Sequence, residues 1–188
     1  MESKGSIEVI CGGMFSGKTE EMIRRLRRVV IAKQSLQVFK PMVDTRFKSG
    51  KITSHSGEEF DAVAVEKSQD ILDLALPEIL VVAIDEAQFF DAGIVEVADK
   101  LCQTGKRVII NGLNLDFKGE PFGSMPDLMA KADDITLLKA ICVVCGDLAT
   151  RTQRLVNGRP AKYTDPLVVI GAEESYEARC RKHHEIQR

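Results

Sequence analysis

The sequence has no long apolar segment. Its longest uninterrupted apolar runs are six residues, as in Ile79 to Ile84, whereas a membrane-spanning helix needs about 20. The first residues lead into a strand-like run and not into the apolar core of a secretory signal. We therefore expect neither a transmembrane nor a secreted protein.

An excess of charge of one sign is also missing. The chain has 26 Lys and Arg against 28 Asp and Glu, a formal net charge of −2. Proteins that bind nucleic acids gain much of their affinity from positive charge that neutralises phosphates, so we expect no nucleic-acid partner. The 188 residues, 44% of them apolar, suffice for one folded domain with at most a small appendage, and the composition is not that of a disordered chain.

The cysteines do not form the pattern of a disulfide framework. There are five, an odd number, and no signal peptide accompanies them, which favours a cytoplasmic protein with reduced thiols. Cys11 and Cys102 are predicted to be core residues. The other three, Cys142, Cys145 and Cys180, lie within the last 47 residues.

Strands and helices alternate through the first three quarters of the chain. Apolar patterns predict strands at Ser6–Cys11, Leu36–Lys40, Asp61–Val65, Ile79–Ile84, Arg107–Ile110 and Asp134–Lys139. Helices are predicted at Lys18–Lys33, Ser68–Ala75 and Ala92–Thr104, with Ser68 as an N-cap. This alternation indicates βαβ units and an α/β fold with a parallel sheet.

Three other segments have different compositions. The stretch from Val43 to Gly57 is polar and is predicted to be a long surface loop, and Lys118 to Pro126 is predicted to be a Pro/Gly-rich connection. After Ala140 the pattern changes to short β-like pieces around the cysteines, such as Leu148–Val156 and Leu167–Ile170. We therefore predict two domains, residues 1–139 and residues 140–188.

A phosphate loop is predicted between the first strand and the first helix. The sequence Gly-Gly-Met-Phe-Ser-Gly-Lys-Thr matches G-x-x-x-x-G-K-[ST] in the required context. Glycines let backbone N–H groups surround a phosphate, and the helix N-terminus adds partial positive charge. Lys18 is expected to reach the β- and γ-phosphates, and the Thr19 hydroxyl to bind Mg²⁺. The predicted ATP and Mg²⁺ ligands here are Gly12, Gly13, Met14, Phe15, Ser16, Gly17, Lys18 and Thr19.

Two carboxylates, Asp85 and Glu86, follow the apolar strand that ends at Ile84. In a P-loop protein the first acidic residue at such a strand end holds Mg²⁺, usually through water. Glu86 points to the other side of the pleat and can accept a proton from whatever attacks the γ-phosphate. The attacking group is water in an ATPase and a substrate hydroxyl in a kinase, and these residues alone leave both open.

Other functional classes share some of these features. Asp85-Glu86-Ala87-Gln88 is similar to the acidic box of helicases, but a helicase uses two such domains, and this chain has the length of one and no basic channel. A phosphate loop also occurs in nucleic-acid-stimulated ATPases and in nucleotide-regulated binding proteins without catalysis. The near-neutral charge counts against the first of these classes, and Glu86 counts against the second.

Two short pairs have the spacing of metal-binding knuckles. Cys142-x-x-Cys145 and Cys180-x-x-His183 together predict a closed Cys₃His site. Zinc is the expected ion because it prefers thiolate and imidazole ligands in a tetrahedron. Four protein ligands leave no position for substrate, so we predict a structural role. Spacing favours His183 as the fourth ligand, but the adjacent His184 remains open.

Six features in this order resemble the type II thymidine kinases from Ser6 to His184. They are Gly12–Thr19, Lys40–Arg46, Ser54–Gly57, Ile84–Phe90, Gly112–Phe117 and the two metal-binding pairs. The resemblance implies a RecA-like P-loop sheet flanked by helices, a small C-terminal zinc-binding domain and a homotetramer. It also implies the reaction ATP + thymidine → ADP + dTMP in pyrimidine salvage, with inhibition by dTTP in the substrate site.

The resemblance also implies roles for individual residues. Glu86 accepts the proton of the 5′-hydroxyl, and Phe117 packs against the thymine base. Asp44 and Arg46 lie near the transferring phosphate. The ATP and Mg²⁺ site further includes Asp85 and Gln88, and the nucleoside is covered by Leu167, Val168, Val169, Ile170, Gly171 and Tyr176.

Two positions depart from the family pattern. Gly13 stands where the family usually has proline, which loosens the turn without removing a hydrogen-bond donor. His183 stands where the fourth metal ligand is often cysteine. The site stays tetrahedral, but we expect metal retention to be more sensitive to acid because a histidine ligand must be neutral.

Overall fold

A six-stranded parallel sheet forms the centre of the computed structural model, which describes residues 5–42, 50–53, 59–168 and 174–188. The strands are β1 (Ser6–Gly12), β2 (Leu36–Pro41), β3 (Lys51–Thr53), β4 (Glu59–Asp61), β5 (Val63–Val65), β6 (Val81–Ile84), β7 (Arg107–Gly112), β8 (Asp134–Leu138), β9 (Ala140–Ile141), β10 (Leu148–Ala149), β11 (Arg151–Val156), β12 (Arg159–Pro160) and β13 (Glu174–Arg179). The central sheet has the order β5-β2-β6-β7-β1-β8.

Helices cover both faces of this sheet. They are α1 (Lys18–Ile31), α2 (Ser68–Leu74), α3 (Ile94–Gln103) and α4 (Met125–Lys131). Alternate residues of β6 pack on opposite sides: Val82 and Ile84 join a core cluster with α2, α3 and α4, while Val81 and Ala83 join a cluster with α1. Burial on both faces explains the continuous apolar run of this strand. The predicted α/β class is confirmed.

Cys11 and Cys102, which the sequence predicted to be core residues, both contact the apolar core. Cys11 on β1 has no exposed surface and belongs to the core cluster that includes α3. Cys102 on α3 is half-buried and packs against the same cluster. The prediction of core positions is therefore confirmed for Cys11, and Cys102 lies at the core's edge.

Two predictions about the segment between β2 and α3 are wrong. Part of the predicted loop Val43–Gly57 is the strand β3, which pairs antiparallel with β4. Only Ile52 in β3 is buried, so its alternation is too short to separate from a polar loop. Ser68 is the first residue of α2, preceded by Lys67 as N-cap, and its hydroxyl donates to Asp91 Oδ1 at 2.6 Å.

Helix α4 lies at the end of a connection for which the sequence predicted no helix. Pro126 is its second residue, a position where proline costs no intrahelical hydrogen bond. Met125 and Leu128 are buried against the core of the sheet. The proline therefore marks the start of a short helix and not the end of a loop.

The chain after the central sheet forms small antiparallel sheets. β9 pairs with β10, and β11 pairs with both β12 and β13. Leu167 and Val168 lie outside the strands, so this part of the predicted strand Leu167–Ile170 is wrong, and the rest lies outside the described residues. No helix in the described part of the chain has the length and apolar composition needed to cross a membrane.

Glu8 on β1 connects three elements through arginines. Arg25 of α1 donates to Glu8 Oε2 at 2.6 Å, and Arg107 of β7 donates to Oε1 at 2.6 Å. Burial by itself raises the pKa of Glu8, but the two arginines bring it below its ordinary value.

On the helix surface, Glu21 accepts hydrogen bonds from Arg25 at 2.8 Å and from Arg24 at 2.6 Å.

We expect the free energy of unfolding of Glu21→Gln to fall less in acid than that of the wild type. Hydrogen bonding from Arg24 is the main cause that lowers the pKa of Glu21 from 4.5 to about 2. Because the pKa is lower in the folded state, the carboxylate stabilises the fold above about pH 4.5, and this contribution disappears as the pH falls to about 2. The pair is partly solvated, so we expect about 1 kcal/mol.

Urea unfolding at pH 7 and pH 3 measures this effect. The variant should lose less stability between the two pH values than the wild type, and Glu78→Gln, at an exposed position before β6, serves as the control. Identical losses in wild type and Glu21→Gln would contradict the assignment.

Candidate active site

The phosphate loop joins the end of β1 to the start of α1. Gly12 has a φ of 153°, and a Cβ there would lie 2.5 Å from the carbonyl oxygen of Leu138, so only glycine fits. Gly17 is the N-cap of α1, whose first residue is Lys18. The motif therefore lies between a buried strand and a helix N-terminus, the arrangement that binds phosphate.

Lys18 folds back into the loop. Its Nζ donates to the carbonyl oxygen of Gly13 at 3.0 Å, and Ser16 Oγ donates to the same oxygen at 2.8 Å. Burial lowers the pKa of Lys18, while the nearby carboxylates of Glu86 and Asp85 raise it. The pKa of Lys18 is lowered overall, so the effect of burial outweighs the attraction of the acidic pair at the end of β6.

Asp85 is held by Asn111, a residue that the sequence pattern did not single out. Asn111 Nδ2 donates to Asp85 Oδ1 at 2.6 Å, and both residues are buried. Burial is the main cause that raises the pKa of Asp85 to about 7, and the negative charge of Glu86 adds to it. The available signal was that Asn111 directly follows the buried run Val108–Ile110 on the neighbouring strand.

These groups fit a hydrated magnesium ion. β7, which carries Asn111, lies between β6 with Asp85 and β1 with the phosphate loop. Asn111 Oδ1 is buried and has no hydrogen-bond partner among the residues that the structure describes. A carboxylate and an available amide oxygen at one sheet edge are ligand types that Mg²⁺ and its water shell prefer.

Glu86 is fixed by its own backbone and by Gln88. Its φ of 50° and ψ of 44° are in the left-handed region, which non-glycine residues rarely adopt. Gln88 Nε2 donates to Glu86 Oε2, and Gln88 Oε1 accepts a hydrogen bond from the backbone N–H of Leu113 at 3.0 Å. Gln88 was predicted as part of the ATP and Mg²⁺ site, and the structure places it as a bridge between Glu86 and the chain leading to Phe117.

Gly123 packs against this bridge. It has a φ of 52°, and a Cβ there would lie 2.4 Å from the carbonyl oxygen of Gln88. We expect Gly123→Ala to destabilise the protein by about 2–3 kcal/mol because strain in the left-handed region is combined with a backbone collision. Gly158→Ala is the matched control, since Gly158 has a φ of 72° with nothing within 4 Å, and should cost about 1 kcal/mol.

Thermal and urea unfolding of both variants test this contact. Similar losses of stability in Gly123→Ala and Gly158→Ala would show that the collision with Gln88 has little effect.

Phe117 contacts two groups from the part of the chain that follows β8. The ring is buried, and the guanidinium carbon of Arg154 lies 4.8 Å from its centroid. His184 Nε2 donates to the carbonyl oxygen of Phe117 at 2.8 Å. Arg154 Nη1 also donates to the carbonyl oxygen of Pro166 at 2.6 Å. One arginine therefore joins Phe117 to the start of the segment predicted to cover the nucleoside.

The remaining predicted site residues are only partly described. Leu167 and Val168 are exposed, and Tyr176 is half-buried on β13. The predicted site residues outside the described part of the chain are Asp44, Arg46, Val169, Ile170 and Gly171.

Four side chains of types that bind metals meet in the C-terminal unit, which comprises the described residues that follow β8. The ligand atoms of Cys142, Cys145, Cys180 and His183 all lie within 4.8 Å of one another. Cys145 Sγ is 3.8 Å from Cys180 Sγ, which is 3.2 Å from His183 Nδ1. Two sulfurs bound to one zinc ion at about 2.3 Å and at a tetrahedral angle are about 3.8 Å apart. The cluster can therefore hold a structural metal ion such as zinc.

The structure distinguishes the two neighbouring histidines. His183 joins the cluster, and its backbone N–H donates to the carbonyl oxygen of Cys180 at 3.1 Å in a tight turn. His184 faces Phe117 instead. Burial lowers the pKa of His184, which favours the neutral ring. The site is thus Cys₃His with His183, as its spacing favoured.

Backbone hydrogen bonds favour the thiolate form of Cys142. Burial by itself raises the pKa of Cys142, but hydrogen bonds from the backbone of Cys180, Val144 and Cys145 lower it to about 6. For Cys145, a hydrogen bond from the backbone of Asp147 lowers the pKa, but burial and hydrogen bonds with neighbouring side chains raise it to about 11. The thiolate is the form that binds metal, so Cys142 is the thiol of this pair that ionises first.

The phosphate loop, Lys18 and the acidic pair at the end of β6 define an α/β protein of the P-loop type. The Cys₃His cluster near the C-terminal end could hold a metal ion. The family model for thymidine kinase matches residues 5–184. The chain therefore belongs to the thymidine kinase family and is a kinase.

A solved structure of low sequence identity has a similar fold. It is the flagellar accessory protein FlaH from Methanocaldococcus jannaschii, with a TM-score of 0.51 and 14% sequence identity over 78% of this chain and 76% of that chain. At this identity the likeness concerns the fold alone.

Proposed function

We propose that this protein transfers the γ-phosphate of ATP to the 5′-hydroxyl of thymidine, giving ADP and dTMP for pyrimidine salvage. The observation that carries the proposal is the placement of Lys18 inside the phosphate loop, where its Nζ donates to the carbonyl oxygen of Gly13. In the same sheet, the buried Asp85 and then Glu86 follow the end of β6. A lysine in a phosphate loop binds the β- and γ-phosphates, and a carboxylate beside them can accept the proton of an attacking hydroxyl. Family membership supplies the nucleoside.

The nucleotide is bound by the phosphate loop, Gly12–Thr19, with Asp44 and Arg46 near the transferring phosphate. Thr19 and Asp85 would hold Mg²⁺, and Asn111 orients the Asp85 carboxylate through its hydrogen bond. When bound, Mg²⁺ neutralises charge on the phosphate oxygens. A bound cation would explain why Asp85, an acidic residue, is buried at the edge of the sheet where the anionic phosphates bind.

Glu86 is the proposed general base. Gln88 donates to one carboxylate oxygen, which leaves the other oxygen to accept the proton of the 5′-hydroxyl. Since Gln88 also binds the backbone of Leu113, the base and the segment that carries Phe117 are positioned together. This connection fixes the position of the 5′-hydroxyl relative to the general base Glu86.

The nucleoside is held between the two units of the chain. Phe117 packs against thymine, while the segment from Leu167 to Gly171 closes over it with Tyr176. Backbone groups can recognise the edges of a base, so this segment does not need polar side chains. Closure excludes water, which favours phosphorylation over hydrolysis of ATP.

The remaining features of the proposal concern organisation. Residues 1–139 form the nucleotide-binding unit, and residues 140–188 form a zinc-binding unit whose metal has a structural role. We further propose a cytoplasmic homotetramer that is inhibited when dTTP occupies the substrate site.

An assay of ADP and dTMP formation with a panel of nucleosides tests the function. We expect equal amounts of ADP and dTMP with thymidine and little ADP formation without it. Lys18→Ala, which removes the phosphate-binding ammonium group, controls for contaminating kinases. ADP formation that thymidine leaves unchanged, or that DNA or RNA stimulates instead, would refute the proposal.

A further inference from the structure

One peptide unit of the phosphate loop is held on both of its sides. The carbonyl oxygen of Gly13 accepts hydrogen bonds from Lys18 Nζ at 3.0 Å and Ser16 Oγ at 2.8 Å. The N–H of the same peptide unit belongs to Met14, and it donates to Thr152 Oγ1 at 3.0 Å. The carbonyl therefore faces the lysine, and the N–H faces the C-terminal unit.

Glycine at position 13 makes this peptide unit easy to rotate. A residue without Cβ allows backbone rotations that other residues resist. A Cβ on Gly13 would lie 3.3 Å from Thr152 Oγ1, so the hydroxyl packs directly against the glycine. Rotation by half a turn would point the N–H toward Lys18 and remove the carbonyl that accepts its hydrogen bond. The Thr152 hydroxyl favours the orientation in which the lysine keeps its acceptor.

Thr152 is itself fixed by the metal-binding unit. It is buried in β11, where it pairs with Ala178 of β13. The carbonyl oxygen of Ala178 accepts a hydrogen bond from Val143 at 3.1 Å, and Ala178 packs in one cluster with Cys142 and Cys180. A single strand pair thus connects the hydroxyl that touches the phosphate loop to the residues of the metal cluster.

We propose that Thr152 is a positioning residue for ATP: its hydroxyl sets the orientation of the Gly13–Met14 peptide so that Lys18 is held in the phosphate loop before ATP binds. The inference rests on the proposed function, because it requires that ATP occupy this loop. Without the hydroxyl, part of the population adopts the rotated peptide. The apparent affinity then falls in proportion to the fraction of loops that remain competent.

Calorimetric titration with MgATP, in the absence of nucleoside, tests the inference on the full chain. Thr152→Val should weaken MgATP binding about fivefold, the equivalent of one ordinary hydrogen bond. Thr152→Ser keeps the hydroxyl and should bind within about twofold of the wild type. Thr150→Val is the matched control, since its hydroxyl accepts from Arg151 at 3.3 Å and should leave the affinity unchanged.

The outcomes separate this inference from the proposed function. If the wild type binds MgATP and Thr152→Val binds it equally well, the inference is overturned, even if the variant unfolds at a lower temperature. If Thr152→Val binds MgATP weakly and Thr152→Ser binds it just as weakly, the inference is also overturned. A wild type that does not bind MgATP overturns both. If Thr152→Val does not fold, Thr152→Ala removes the same hydroxyl with less bulk and takes its place.

Discussion

Glu86→Gln is expected to lower kcat at least ~10²-fold while ATP and thymidine still bind, because the variant loses only the group that accepts the hydroxyl proton. Glutamine has nearly the same shape, and its oxygen can still accept the hydrogen bond from Gln88. The left-handed backbone at this position is equally compatible with both residues. The substitution therefore separates proton transfer from binding.

Single-turnover and steady-state kinetics, with ligand binding measured by thermal shift, provide the test. Glu96→Gln on the surface of α3 is the control, since Glu96 pairs only with the exposed Lys100 among the contacts described for its carboxylate. A Glu86→Gln protein that folds normally and keeps its kcat would remove Glu86 from the role of base. A loss of binding with unchanged kcat would make Glu86 a binding residue.

Cys145→Ser is expected to remove the metal and with it the order of the C-terminal unit. A serine hydroxyl is a poor zinc ligand, so three ligands remain, and the binding energy that stabilises the small sheets around the cluster is lost. Elemental analysis should fall from about one zinc per chain to nearly none. Activity should fall as well, because β11 and β13 carry Arg154 and Tyr176.

Cys102→Ser supplies the matched control for this variant. Cys102 lies on α3, away from the cluster, and has the same chemistry. It should keep its full zinc content. A Cys145→Ser protein with full zinc content would contradict the Cys₃His assignment, whereas loss of zinc in both variants would indicate general destabilisation.

The sequence predicted the parts of the site that depend on local pattern. The phosphate loop and each of the two metal-binding pairs have fixed spacing, because neighbouring residues must supply their ligands. The central strand before Asp85 was recognisable because burial on both faces requires an unbroken apolar run. The short strand β3 and the helix α4 were missed, since each has too few buried residues to produce a periodic signal.

Contacts between distant segments could not be predicted in the same way. Asn111 is 26 residues from Asp85 and Thr152 is 138 residues from Met14, so nothing in their local sequence indicates that they are partners. Either could have been an ordinary polar residue at the end or start of a strand. The order of the strands and the docking of the C-terminal unit decide that they meet.

The amino-acid sequence by itself determined the α/β class, the phosphate loop and the two metal-binding pairs, because each follows from periodicity or from spacing within a short segment. Only the tertiary structure decided which histidine joins the cluster, that Asn111 holds Asp85, and that Thr152 reaches the phosphate loop. Those choices depend on groups from distant segments coming into contact, as when Asn111 reaches Asp85 at 2.6 Å. Strand order and packing set such distances, and local sequence does not encode them.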